Sequence, residues 1–301
     1  MPCSNSWRGC WPSPPLPRWR GAAGAIAWSS KVGSTRSWLG VVAQAWRIRL
    51  LTMLEYKANF FMWFAFTIAY HGVAVAALGA TLYNFPSLAG WNFREIAFLY
   101  ALWMLGHSTH NLFFFSVGDV PVYVQEGTFD RFLVRPRDVL FQIVTVPNQQ
   151  WPDELALAIV WFVFATWYAH VAVNWVFLLA VPLIVLGGVL IDLAVSLMVA
   201  TVSFWFVRVD TLRWVVMSLE QEFTRYPVSI YTRGVRILMA YVLPYAFMNY
   251  FPAVYFLHKS DQGLTVVPWL GLLAPLVGGV WFAAAYGFWR VGLNRYQGTG
   301  S

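Results

Sequence analysis

VFLLAVPLIVLGGVLIDLAVSLMVATVSFWF, residues 176–206, carries a single ionisable side chain, Asp192. The run exceeds the roughly 18 apolar residues that mark a membrane-crossing helix. Pro182 and Gly187-Gly188 are read as breaks in that helix. A charge at membrane depth is expensive and usually functional. For Asp192 two readings are open: pairing with a neighbouring helix, or facing an aqueous path where it attracts a cation.

The same texture extends outward from this run. Near-charge-free stretches lie at about 59–82, 94–117, 154–173 and 266–289. With 59% apolar, 19% aromatic and 11% charged residues, the chain has too little polar surface for a soluble domain of its length. The expectation is an all-α, polytopic helical membrane protein. The fifth span is open: TLRWVVMSLEQEFTRYP (211–227) could cross, followed by a re-entrant hairpin over 230–257 broken at Pro244 and Pro252. Alternatively 209–232 lies in the interface and 234–257 crosses. Either reading gives six transmembrane helices.

Charge sets the orientation. The loops after the first and third runs hold no Lys or Arg, whereas those after the second, fourth and last are arginine-bearing. By the positive-inside rule both termini and the 118–153 loop are cytoplasmic, in a cell inner or plasma membrane. The eight basic residues up to Lys57, against Glu55 alone, account for the whole formal net charge of +7. That basic flank suits anionic lipid headgroups, and nothing in the pattern suits nucleic acid. Residues 1–37, rich in Pro, Trp, Gly and Ser, read as a disordered leader or sequence upstream of the true start. They hold the only cysteines, Cys3 and Cys10. In 38–57, Leu39, Val42, Trp46, Leu50 and Met53 fall on one helical face, which suits an interfacial amphipathic helix.

The loop QEGTFDRFLVRPRD (125–138) concentrates charge, a glycine and a proline between two spans. At i, i+3 and i+4, Phe129, Phe132 and Leu133 form an apolar knob suited to a groove on a partner. Glu126, Asp130 and Arg131 rim it, Gly127 allows a sharp entry and Pro136 ends the turn. No GxxxxGK[ST] occurs, so any drive from ATP must come from another chain.

Four blocks in order, covering roughly 38–299, carry a family resemblance. They are Gly127, Phe129-Asp130, Leu133, Arg135 and Pro136 in the loop; Arg225 to Tyr231; Pro244, Phe247, Pro252 and Ala253; and Gly292, Leu293 and Tyr296 in the tail. Together they resemble the ABC-2 type permeases, the membrane subunits of ATP-binding-cassette exporters. The resemblance implies an N-terminal elbow helix, a coupling helix within 118–138, six spans and an external re-entrant hairpin before the last. It thereby favours 211–227 as the fifth span. It also implies a cytoplasmic ATPase subunit that binds ATP and Mg, and a second permease chain, identical or different. The implied substrate is a hydrophobic or cationic xenobiotic, with a lipid or glycan as the alternative.

Glu222 reaches Arg225 at i+3, whereas Glu220 has no basic residue at i+3 or i+4 and becomes, with Asp192, the candidate for a substrate path. His107 and His110 share a face, but no acidic third ligand stands near them in sequence, so polar packing is favoured over metal binding. No nucleophile–base spacing supports catalysis. An ion-coupled carrier using Asp192 and Glu220 as proton relays is the competing class.

Overall fold

The computed structural model describes residues 40, 42–44, 46–47, 51, 55, 57–85, 87–146, 152–206, 208–259 and 268–297. The chain divides into two units, Met1–Gln44 and Ala45–Ser301, and the helical bundle belongs to the second. The leader at 1–37 lies outside the described residues. So does much of the 38–57 helix, although its described positions are helical.

Among the described residues the fold is helical, with one isolated bridge between Leu88 and Trp91. Helix α1 (Lys57–Asn84) leads to α2 (Phe93–Phe114), which opens on a capping box. There the Asn92 side chain accepts from the Glu95 amide, and Glu95 accepts from the Asn92 amide. A 3₁₀ turn (Phe115–Asp119) begins the loop, followed by three short helices: α3 (Val120–Gln125), α4 (Asp130–Leu133) and α5 (Val139–Val144). Then come α6 (Asp153–Tyr168) and α7 (Trp175–Val202), the latter capped by Asn174. They are followed by α8 (Asp210–Thr224), α9 (Arg233–Ile237), α10 (Tyr250–Phe256) and α11 (Ala274–Arg295).

Ala58–Asn84, Trp175–Val202 and Trp269–Arg295 are long and apolar enough to cross a membrane. A fourth crossing is possible if Arg233–Val242 and Tyr245–Phe256, bent by 75° to each other, count as one. Helix α6 ends earlier than the expected 154–173, because His170 adopts a left-handed φ of 53° and terminates it. Its 16 residues reach about 24 Å, short of a bilayer core of about 30 Å.

The expected break in the 176–206 run is not there. Helix α7 continues through Pro182 and both glycines. The glycines serve packing instead. A Cβ on Gly187 would overlap the Ala274 carbonyl, and one on Gly278 would lie 2.5 Å from the Gly187 carbonyl oxygen, so α7 and α11 meet backbone to backbone. On the adjoining face Gly188 approaches Gly106 of α2, with Met248 wedged against both. That crossing fixes the level of the next helical turn, which carries His107 and His110 on α2 and Asp192 on α7.

The 209–257 region resolves into pieces at successive heights along α2. Glu220 near the end of α8 meets His107 and Trp103, whereas Tyr250 and Phe256 of α10 pack on Trp91 and Phe98. The carbonyl left open at the C-terminus of α8, that of Thr224, accepts from Asn249 Nδ2 at 2.6 Å. Between them, Arg236 turns back to donate to the carbonyls of Ser229 and Tyr231. A straight helix over 234–257 is excluded by the bend at Leu243-Pro244, where proline removes a donor.

Candidate functional site

Polar side chains of five helices meet in the apolar interior. On α2, His107 places Nδ1 2.6 Å from Glu220 Oε1 of α8 and 3.2 Å from Asp192 Oδ2 of α7. Trp103 Nε1 donates to the same Glu220 oxygen at 3.2 Å, one turn away on α2. Asn111, one turn the other way, has its amide nitrogen 3.0 Å from His107 Nε2 and donates to Glu154 Oε2 of α6 at 3.2 Å. From Glu154 the chain of contacts continues to His71 Nε2 of α1 at 3.7 Å, and His71 Nδ1 lies 2.7 Å from the Tyr100 hydroxyl. The i, i+3 and i+4 spacings of Tyr100, Trp103, His107 and Asn111 line them along one face of α2, which is why one helix can organise the network.

The members are deeply buried: Asp192 is 2% exposed, Glu220 and His110 6%, and His107 8%. In such surroundings each hydrogen bond is stronger than in water, and each unpaired charge costs more. The network nevertheless leaves gaps. Neither ring nitrogen of His110 reaches a hydrogen-bond partner, and Asp192 Oδ1 has none. Nδ1 of His110 stands 3.9 Å from Asp192 Oδ2. A cavity of about 60 Å³, room for a few waters, adjoins them. Its lining includes His107, His110, Glu220, Tyr245, Gly118 and Arg213.

Both residues read from sequence as a substrate path, Asp192 and Glu220, thus sit in one cluster. Glu220 has a close partner after all, a histidine supplied by another helix rather than by its own. The acidic groups missing from the sequence neighbourhood of His107 and His110 are these same two carboxylates. Glu154, His71, Tyr100 and Trp103 join the network from positions that no local spacing connects to Asp192 or Glu220. Glu222, by contrast, is exposed and pairs with Arg225 at 3.7 Å as its spacing suggests.

The loop departs from its reading. Phe129 and Phe132 are 0% and 2% exposed, so they offer no knob to a partner. Gly127, at φ 67°, turns the chain back, and the single-turn α4 lies across the ends of α7 and α11. Phe129 packs against Phe204, Trp289 and Tyr296, with ring centroids 5.1, 6.3 and 5.0 Å away. Gly292 permits this, since a Cβ there would press on Thr201 and Phe204. Leu133 and Val134 remain outside with Glu126, Asp130, Arg131, Arg135 and Pro136. Arg131 lies over the Tyr123 and Phe132 rings, and Gln142 donates to the carbonyls of Phe132 and Arg137. Beside the loop Arg213 approaches Asp119 at 3.8 Å, and burial pushes the Asp119 carboxyl up against the opposing pull of that guanidinium.

A family model described as ABC-2 family transporter protein matches residues 68–300. No curated protein and no solved structure matches the chain.

Proposed function

The chain belongs to the ABC-2 family of transporter proteins, and from that premise we propose that it is the non-catalytic permease subunit of an ABC exporter. The observation that carries this is the pairing of family membership with a sequence lacking any GxxxxGK[ST] phosphate cradle. A transporter of this family built from apolar helices needs its energy from elsewhere. A cytoplasmic ATPase subunit would bind ATP and Mg, and the permease would pair with a second permease chain, identical or different. Both termini and the 118–138 loop would face the cytoplasm from an inner or plasma membrane.

In this reading the docking surface is the exposed rim of the loop: Leu133 and Val134, bordered by Glu126, Asp130, Arg131 and Arg135. The buried aromatics beneath make the rim a rigid handle, since motion pressed on it passes directly to α7 and α11. The Asp192–Glu220 cluster beside the cavity supports a cationic or hydrophobic substrate, drugs and xenobiotics first, lipids or glycans second. Co-purification of a P-loop subunit with the intact chain, lost on Leu133→Asp, is the expected result. Retention of that subunit by the variant overturns the docking assignment.

The ion-coupled carrier has one observation in its favour, the hydrogen-bonded histidine–carboxylate network at depth. Transport that persists without any ATPase and collapses with an uncoupler would select it.

A further inference from the structure

We propose that His107, His110, Asp192 and Glu220 form a binding site for one divalent transition-metal cation of the Zn(II) type. The inference goes beyond the permease reading and does not rest on it. One donor atom from each of His107, Asp192 and Glu220 lies within 4.8 Å of the other two, all buried. Zinc bonds to nitrogen and oxygen donors run about 2.0–2.2 Å, which separates donors around a tetrahedral ion by about 3.4 Å. The separations here, 2.6 Å for His107–Glu220, 3.2 Å for His107–Asp192 and 3.9 Å for His110–Asp192, straddle that value. Side-chain shifts of less than about an ångström would bring four donors around one ion.

Independent support comes from the groups left over. His110 is more than nine-tenths buried beside the cluster with no hydrogen-bond partner for either ring nitrogen, and Asp192 Oδ1 likewise has none. Buried polar atoms without hydrogen-bond partners are rare, and one bound cation would satisfy both of these at once. Two imidazoles and two carboxylates, with no thiolate, match a borderline divalent cation such as Zn(II) rather than Cu(I). The supporting contacts are in place as well: Trp103 donates to Glu220, and Asn111 stands at His107 Nε2. Coordination through Nδ1 of His107 displaces the proton that Nδ1 shares with Glu220 and Asp192, and that proton is released to solvent, so Zn(II) affinity falls as pH falls. The ion would join α2, α7 and α8 at one level, pinning the end of α8 where the chain turns into the bent segment.

The test uses the full chain, purified in lipid nanodiscs without a histidine tag, stripped with chelator and titrated with Zn(II) alone. One Zn(II) per chain is expected, with a raised unfolding midpoint, and with Co(II) substituted the visible absorption of a four-coordinate nitrogen–oxygen site. His110→Gln is the decisive variant because its parent makes no hydrogen bond to lose; it should fold normally and bind Zn(II) at least about tenfold more weakly. Glu222→Gln should bind as the parent does. Absence of stoichiometric Zn(II) in the unmodified chain, or parental affinity in His110→Gln, overturns the site. Neither result touches the permease reading, which is tested by ATPase capture.

Discussion

Two clusters organise this bundle, and they are built on opposite terms. At mid-height, His107, Asp192 and Glu220 hold three helices through directed contacts between ionisable groups. At the arginine-bearing end, Phe129, Phe132, Phe204, Trp289 and Tyr296 hold the loop by shape and volume. The first should fail when a partner is deleted and recover when both are made apolar. The second should fail when volume is lost. Position along the chain suggests an open path for the span residues and an exposed knob for the loop aromatics, and the structure buries both Asp192 and Glu220 and both Phe129 and Phe132.

The sharpest break should come from Glu220→Leu, which strands His107 Nδ1 and the Trp103 N–H in an apolar interior. A loss of about 3–5 kcal/mol in unfolding free energy is expected in micelles. Replacing His107 by Leu in the same chain should restore most of it, and a double variant no better than the single would show that the pair does not act as a unit. Phe129→Ala comes next, at about 3 kcal/mol from lost burial and the cavity left against Trp289 and Tyr296. Phe129→Met should recover much of that, because volume is what counts there. Asn249→Ala removes the donor to the Thr224 carbonyl and should cost about 1–2 kcal/mol, read as earlier proteolysis within 225–249. The smallest stability effect is expected for Leu133→Asp on the exposed rim, within about 0.5 kcal/mol, while ATPase capture is abolished. A large stability loss there would mean that the rim belongs to the aromatic cluster.

Much of the fold was legible because hydrophobicity is a one-dimensional property. Residues 176–206 announce a long apolar helix by composition alone, and so do 59–82 and 266–289, save that 266–267 lie outside the described residues. The site was legible in part: Asp192 and Glu220 stand out because charge is rare in such runs. That His107 is their partner was not legible, since it lies on another helix and nothing in local spacing connects them. The glycine pair at 187–188 looked like a break, because sequence shows the missing side chain but not the helix that fills its place.

By itself the sequence determined that the chain forms long apolar helices, where several of them lie, and which rare charges stand out within them. Only the tertiary structure decided what those charges face. Helix propensity and burial depend on neighbours three or four residues away, whereas a hydrogen bond or ion pair depends on which helices cross and at what height. Here that height is set by Gly106 against Gly188, a contact that no periodicity encodes.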